Sequence, residues 1–136
     1  MRGLFFYVCL FFSLISFALW TSDPTAGLKE AQSEGKLVMF YFHSEHCPYC
    51  TQMETFVLGD EDVSKHMENF IVISLNTDSS MGRKWTRQLG VFGTPTFVVY
   101  DPKQAKPVSI IFGSRSKDDF IQLILHACRR SSIKKC

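Results

Sequence analysis

The feature that most constrains this chain is a pair of cysteines two residues apart, Cys47-Pro48-Tyr49-Cys50, set shortly after the unbroken apolar and aromatic run Leu37 to Phe42. A continuous run of that kind is what a strand buried on both faces carries. Beyond Cys50, the apolar residues Met53, Phe56 and Val57 recur at helical spacing as far as Gly59, so a helix is predicted to begin at the cysteines. A strand that feeds a helix through two thiols puts Cys47 at a helix N-terminus. There, unpaired backbone N–H groups and the positive end of the helix dipole stabilise a thiolate and lower the thiol pKa. Pro48 suits the first turn, where a missing N–H costs nothing. The spacing then brings Cys50 one turn back toward Cys47, which permits a reversible disulfide with Cys47 as nucleophile and Cys50 as the resolving thiol.

The rest of the chain supplies a frame for that pair. Its 136 residues, 46% apolar and 21% charged, suit one compact domain. The net charge of +2 has no long block of one sign, so no nucleic-acid groove and no acidic substrate is implied. Thr25 to Glu34 reads as a helix ended by Gly35, Val63 and Met67 as a further helical turn or two, and Phe70 to Leu75 as a second buried strand. Met81, Trp85 and Leu89 mark one face of a helix closed by Gly90. Thr96 to Tyr100 and Val108 to Phe112 flank a turn-rich segment with Asp101-Pro102, as in an antiparallel hairpin. Ser116 with Asp119 opens a last helix whose apolar face includes Phe120, Leu123, Ile124 and Ala127. The expected fold class is therefore α/β, with a central mixed sheet of about four strands flanked by helices.

Residues 1–20 stand apart. Met1-Arg2 gives a positive start and Leu4 to Leu19 is almost wholly apolar, the pattern of a signal peptide or an N-terminal membrane anchor. Ser16-Phe17-Ala18 offers small residues for cleavage near Ala18, and either outcome predicts a periplasmic or otherwise extracytoplasmic location. Cys9, inside the apolar run, is given no role. Outside the cytoplasm disulfides form and persist. Cys128 and Cys136 are then open to two readings, a disulfide closing a basic stretch or two free or intermolecular thiols. Residues 131–136 are expected to form a basic C-terminal tail, with Arg129 to Lys135 either touching anionic headgroups or lying frayed in water.

The cysteine pair is open to other chemistry. A zinc site needs a second ligand pair, and Cys128 and Cys136 lack the usual close spacing. His43 and His46 with the two thiols offer a copper-binding or metal-delivery module as the alternative. Otherwise His46 is a candidate for thiolate stabilisation, and His43 is structural.

With these residues assembled, the chain from about Thr25 to Arg130 resembles the thioredoxin superfamily. The apolar strand running into Cys47-Pro48-Tyr49-Cys50, the strand end Leu75-Asn76-Thr77-Asp78, the hairpin opening Gly93-Thr94-Pro95-Thr96 and the approach Gly113 to Lys117 to the last helix carry the likeness. The resemblance implies a thioredoxin fold over residues 21–130. It also implies a cis Pro95 beside the cysteines and a substrate-binding surface made of Pro48, Tyr49, Thr94 and Pro95. Pro48-Tyr49 is similar to the glutaredoxin dipeptide, and Thr94 before the proline is similar to periplasmic thiol reductases and isomerases.

The closest overall likeness is to exported bacterial thioredoxin-like proteins. That implies disulfide exchange with protein thiols or disulfides, no cofactor and no metal, a membrane redox partner, and a monomer. Reductant is preferred over oxidant. A dimeric isomerase would require a dimerisation domain for which the chain has no room. Where cytoplasmic thioredoxins carry a buried Asp and a neighbouring Lys, this chain has Tyr41 and Ser74. Deprotonation of Cys50 is thus left to water, to Glu45 or to the substrate.

Overall fold

The computed structural model describes residues 19–136. In chain order the elements are β1 (Leu19–Thr21), α1 (Pro24–Glu34), β2 (Leu37–His43) and α2 (Pro48–Met53). Helix α2 runs on into a π-helical turn, Glu54–Leu58. There follow α3 (Glu61–Met67), β3 (Phe70–Asn76), α4 (Ser80–Leu89), β4 (Thr96–Asp101), β5 (Lys106–Phe112) and α5 (Lys117–Arg130). The sheet order is β1-β3-β2-β4-β5, with β1, β3 and β2 parallel and β4 and β5 antiparallel to their neighbours.

Strand β2 lies in the middle of this sheet and reads as one apolar run because both of its faces are covered. Val38, Phe40 and Phe42 point to a layer with Ile71, Ile73, Val98, Ala31 and Leu89, against which Trp85 packs. Met39 and Tyr41 point the other way, to Met53, Val57, Val63, Phe97, Phe120 and Ile124. Alternation along a strand sorts the two sets, and the helices supply the covers: α1 and α4 on one face, α2, α3 and α5 on the other. Stacked rings stiffen both layers, Tyr41 on Phe97 with centroids 4.8 Å apart and Phe40 on Trp85 at 5.1 Å. Among the described residues no helix is long and apolar enough to cross a membrane.

Three expectations are corrected. The sheet has five strands rather than about four, because Leu19–Thr21 pairs in parallel with Ile71–Ile73. That strand is three residues long and begins at the end of the apolar run assigned to the leader, so no local pattern marks it. The rest of the segment expected to be a leader or anchor lies outside the described residues. Second, Phe56 is 70% exposed although Met53 and Val57 are buried. The wider π turn carries residue 57, not 56, round to the face of Met53. Third, Met81 is 42% exposed on α4, while Leu89 is buried and Trp85 packs on the core. The capping of α5 is as expected, with Ser116 Oγ accepting from the Asp119 amide at 3.3 Å. Gly90 closes α4 in the left-handed conformation, φ 70°.

The segment after α5 is packed rather than loose. Asp101 is fully buried at the end of β4, where its Oδ1 accepts from the amides of Lys103 and Gln104 at 3.0 and 3.1 Å. Its Oδ2 accepts from the amide and hydroxyl of Ser132 at 2.8 and 2.6 Å. Ser131 is buried, Ile133 packs on the core, and Cys128 is paired with Cys136, their Cα atoms 6.3 Å apart.

Burial alone would raise the Asp101 pKa, but the hydrogen bonds from Ser132, Gln104 and Lys103 outweigh it and hold the carboxyl below its ordinary value. A depressed folded-state pKa contributes stability that is complete above the unfolded value of about 3.9 and is lost as pH falls through the folded value. Asp101→Asn is expected to cost about 2–3 kcal/mol at neutral pH. The penalty should shrink below pH 4, read as urea midpoints of variant and wild type that converge in acid. A difference independent of pH would show that the carboxylate charge is not its source.

Candidate active site

Cys47 is the N-cap of α2, in extended geometry at φ −107° and ψ 96°, with Pro48 in the first turn. The residue before it, His46, takes a left-handed φ of 54°, which swings the chain out of β2 and into the helix. Cys47 Sγ accepts from the Cys50 amide at 3.2 Å and from the Thr94 hydroxyl at 3.5 Å. Both donors favour a thiolate at this sulfur over a neutral thiol. Cys47 and Cys50 are paired as a disulfide with Cα atoms 5.2 Å apart; Cys47 is half-buried and Cys50 is 3% exposed. The outer sulfur therefore meets solvent and the inner one does not, an asymmetry that suits attack at one thiol and resolution by the other.

The hairpin opening completes the site. The Thr94–Pro95 peptide is cis, Pro95 is buried, and its carbonyl accepts from the Gly113 amide at 2.9 Å. Thr94 Oγ1 also shares a hydrogen bond with Ser44 Oγ at 2.8 Å, tying the loop after β2 to the loop before β4. Pro48 and Tyr49 are exposed beside the pair, Tyr49 at 63%. All six residues singled out from the sequence thus lie around one end of the sheet. Exposed Phe92, two residues before Thr94, packs on Phe112 with centroids 5.8 Å apart and extends the apolar surface next to the cleft.

Two residues escaped the sequence reading. Ser44 has no signal beyond its place between β2 and the cysteines. Glu54 lies four residues after Cys50, hence on the same helical face, and that spacing was the available signal. It lines the cleft that also holds Glu45, His46, Cys47, Cys50 and Thr51. The Tyr41 hydroxyl donates to Glu54 Oε1 at 2.8 Å. Burial first, and then the Glu54 carboxylate, push the Tyr41 phenol far above its usual range, so it remains a protonated donor. Tyr41 stands where thioredoxins were expected to carry the buried acid, and its register partner on β3 is Ser74. His43 tilts against Tyr41 at 5.3 Å. Among the described residues no three His, Cys, Asp or Glu side chains are gathered to hold a metal ion.

The family model described as a thioredoxin-like domain matches residues 25–127. The chain belongs to this family. A thioredoxin from Thermus thermophilus, solved in solution, is 43% identical and superposes with a TM-score of 0.74, covering 82% of this chain and 88% of that one. The oxidised C-terminal domain of Neisseria meningitidis DsbD shares the fold at a TM-score of 0.65 and 21% identity, over 76% of this chain and 90% of that domain. Among curated relatives, the thiol:disulfide interchange protein DsbD of Yersinia enterocolitica is 25% identical over 95 residues, which is 68% of this chain and 16% of DsbD. The thioredoxin-like protein HCF164 of Oryza sativa subsp. japonica chloroplasts is 29% identical over 126 residues, 90% of this chain and 45% of that protein. The chain therefore spans less than half the length of these two relatives. In this thioredoxin-like domain Tyr41 stands at the position expected to hold a buried acid in cytoplasmic thioredoxins, and it is hydrogen-bonded to the helix carboxylate Glu54.

Proposed function

We propose that this thioredoxin-like domain is an extracytoplasmic thiol-disulfide oxidoreductase that reduces disulfides in protein substrates. The observation that carries the reading is Cys47 Sγ at the start of α2, accepting from the Cys50 amide and the Thr94 hydroxyl. In the reduced pair, the Cys47 thiolate attacks one sulfur of a substrate disulfide. A Cys47–substrate disulfide forms, and the other substrate sulfur leaves as thiolate. Cys50 then gives up its proton and attacks Cys47 Sγ, closing the Cys47–Cys50 disulfide and releasing the second substrate thiol. Two electrons pass from the pair to the substrate, and a dithiol partner, membrane-borne on this reading, returns them.

Glu54 is the acceptor we assign to the Cys50 proton. Both Glu54 and Glu45 are exposed and line the cysteine cleft, and the anchoring of Glu54 by the Tyr41 hydroxyl supports the role over Glu45, which makes no hydrogen bond among the described residues. Pro48, Tyr49, Thr94 and Pro95 form the substrate-contact surface, with the Pro95 edge available to an extended peptide. The relatives named thiol:disulfide interchange protein DsbD support thiol-disulfide exchange as the reaction.

The test is the reduction potential of the pair, measured by equilibrating the protein in glutathione and dithiothreitol buffers with Cys128→Ser/Cys136→Ser alongside. A value near the roughly −270 mV of thioredoxin supports the reductant; one near the roughly −120 mV of strong oxidants makes it a disulfide donor. Failure to exchange with either buffer would end the oxidoreductase reading. In Glu54→Gln the lifetime of a mixed disulfide should lengthen, and an unchanged lifetime would return the proton to water or the substrate.

A further inference from the structure

We propose that the end of the domain opposite the cysteines is a docking face for anionic lipid headgroups, built from Lys103, Lys106, Arg129, Arg130, Lys134 and Lys135. The topology places these cations together. Strands β1, β2 and β3 are parallel, so Leu19, Leu37 and Phe70 begin at one end, where Leu19 pairs with Ile71 and Leu37 with Phe70. Antiparallel β4 finishes at that same end, Tyr100 opposite Val38, and turns there into β5 at Lys106. The Ser132–Asp101 hydrogen bonds bring the end of α5 and the residues after it to the same place. Cys47 lies beyond the far end of β2, and Thr94-Pro95 just ahead of β4, about 20 Å away for a seven-residue strand.

All six cations are exposed, and among the described residues none makes an ion pair. The nearby carboxylate of Glu34 is engaged by Lys36 at 3.2 Å, and Asp101 is buried with its oxygens turned to amides and Ser132. The chain-end cations are also held in place. A frayed basic tail would use neither a buried carboxylate nor the Cys128–Cys136 pairing, whereas here both restrict it. The lipid surface, rather than an acidic protein, is favoured by where the chain enters: the apolar sequence Leu4 to Leu19 joins the fold at this end, at the start of β1. A membrane that holds that sequence brings its headgroups to these cations and leaves Cys47 facing away, free to meet soluble substrates. This inference does not depend on the redox chemistry.

The test is hydrogen exchange of the full chain on phosphatidylcholine vesicles with and without phosphatidylglycerol. Each cation near an anionic surface contributes several-fold to binding, so exchange across residues 129–135 is expected to slow by about tenfold or more on the anionic vesicles alone. High salt should reverse the slowing, and the peptide containing Cys47 should be unaffected. Arg129→Gln/Arg130→Gln/Lys134→Gln/Lys135→Gln should abolish the slowing while keeping disulfide exchange at the distant end. Equal exchange on both vesicles, or protection appearing around Cys47 instead, would overturn the proposal, and the wild-type comparison alone decides this if the variant does not fold.

Discussion

Replacing Cys47 with serine is expected to reduce disulfide exchange to the background rate of the thiol buffer, whereas replacing Cys50 with serine should leave the first step intact and trap the substrate. The difference follows from the two environments. Cys47 Sγ is half-buried at a helix N-terminus with two donors aimed at it, the setting of a nucleophilic sulfur once the pair is reduced. A serine hydroxyl in the same place stays protonated and is a far weaker nucleophile. Cys50 is 3% exposed beneath it and cannot reach a bulky protein disulfide, but it can reach Cys47 Sγ, since the two Cα atoms are 5.2 Å apart. Insulin reduction by dithiothreitol reads the first variant. A covalent adduct on a non-reducing gel, absent when Cys47 is also replaced, reads the second. An adduct formed by Cys47→Ser in place of Cys50→Ser would reverse the assignment.

Gly82→Ala is expected to be among the most damaging single substitutions in the fold, although it sits on a helix where alanine has the higher propensity. Helix α4 leaves the end of β3 through a tight connection in which Ser79 Oγ accepts from the Gly82 amide at 2.9 Å and donates to the Asn76 carbonyl at 2.6 Å. A Cβ on Gly82 would overlap the Asn76 carbonyl oxygen and come within 2.6 Å of its carbon. Both are backbone atoms of a strand paired along its length with β2, so relief requires moving either the helix or the strand. Overpacking against backbone of this kind costs about 3 kcal/mol or more. For a domain of this size that is a fall in melting temperature of roughly 10–20 °C. Melting followed by circular dichroism checks it, and a variant within two or three degrees of wild type, by the same scale, would mean that α4 shifts freely.

The elements legible in the chain of residues are those whose signal is local. Leu37 to Phe42 announces a strand covered on both faces, Ser116 and Asp119 announce a helix start, and the cysteine spacing announces thiol chemistry at a helix N-terminus. Each is written in consecutive residues, because strand period, capping and a helical turn all act within about four positions. Glu54 is half legible in the same way, being one turn beyond Cys50, but its partner Tyr41 lies thirteen residues earlier on another element. Nothing local tells that a tyrosine on β2 will fix a carboxylate on the following helix. The π turn at Glu54–Leu58 is equally hidden, since Met53, Phe56 and Val57 fit an α-helical stripe as well as they fit the exposed Phe56 that results.

The α/β alternation, the strand–thiol–helix unit and the choice of sulfur at the helix N-terminus follow from neighbouring residues, because they rest on short-range sterics and on the dipole of one helix. Tertiary structure alone decided three things: that Leu19–Thr21 joins the sheet as a fifth strand, that Thr94 points its hydroxyl at Cys47 Sγ from 47 residues away, and that Asp101 pins Ser132. All three depend on contacts between segments distant in the chain. Such contacts form only when burial of the shared core offsets the entropy of bringing their ends together, and no run of neighbouring residues records that balance.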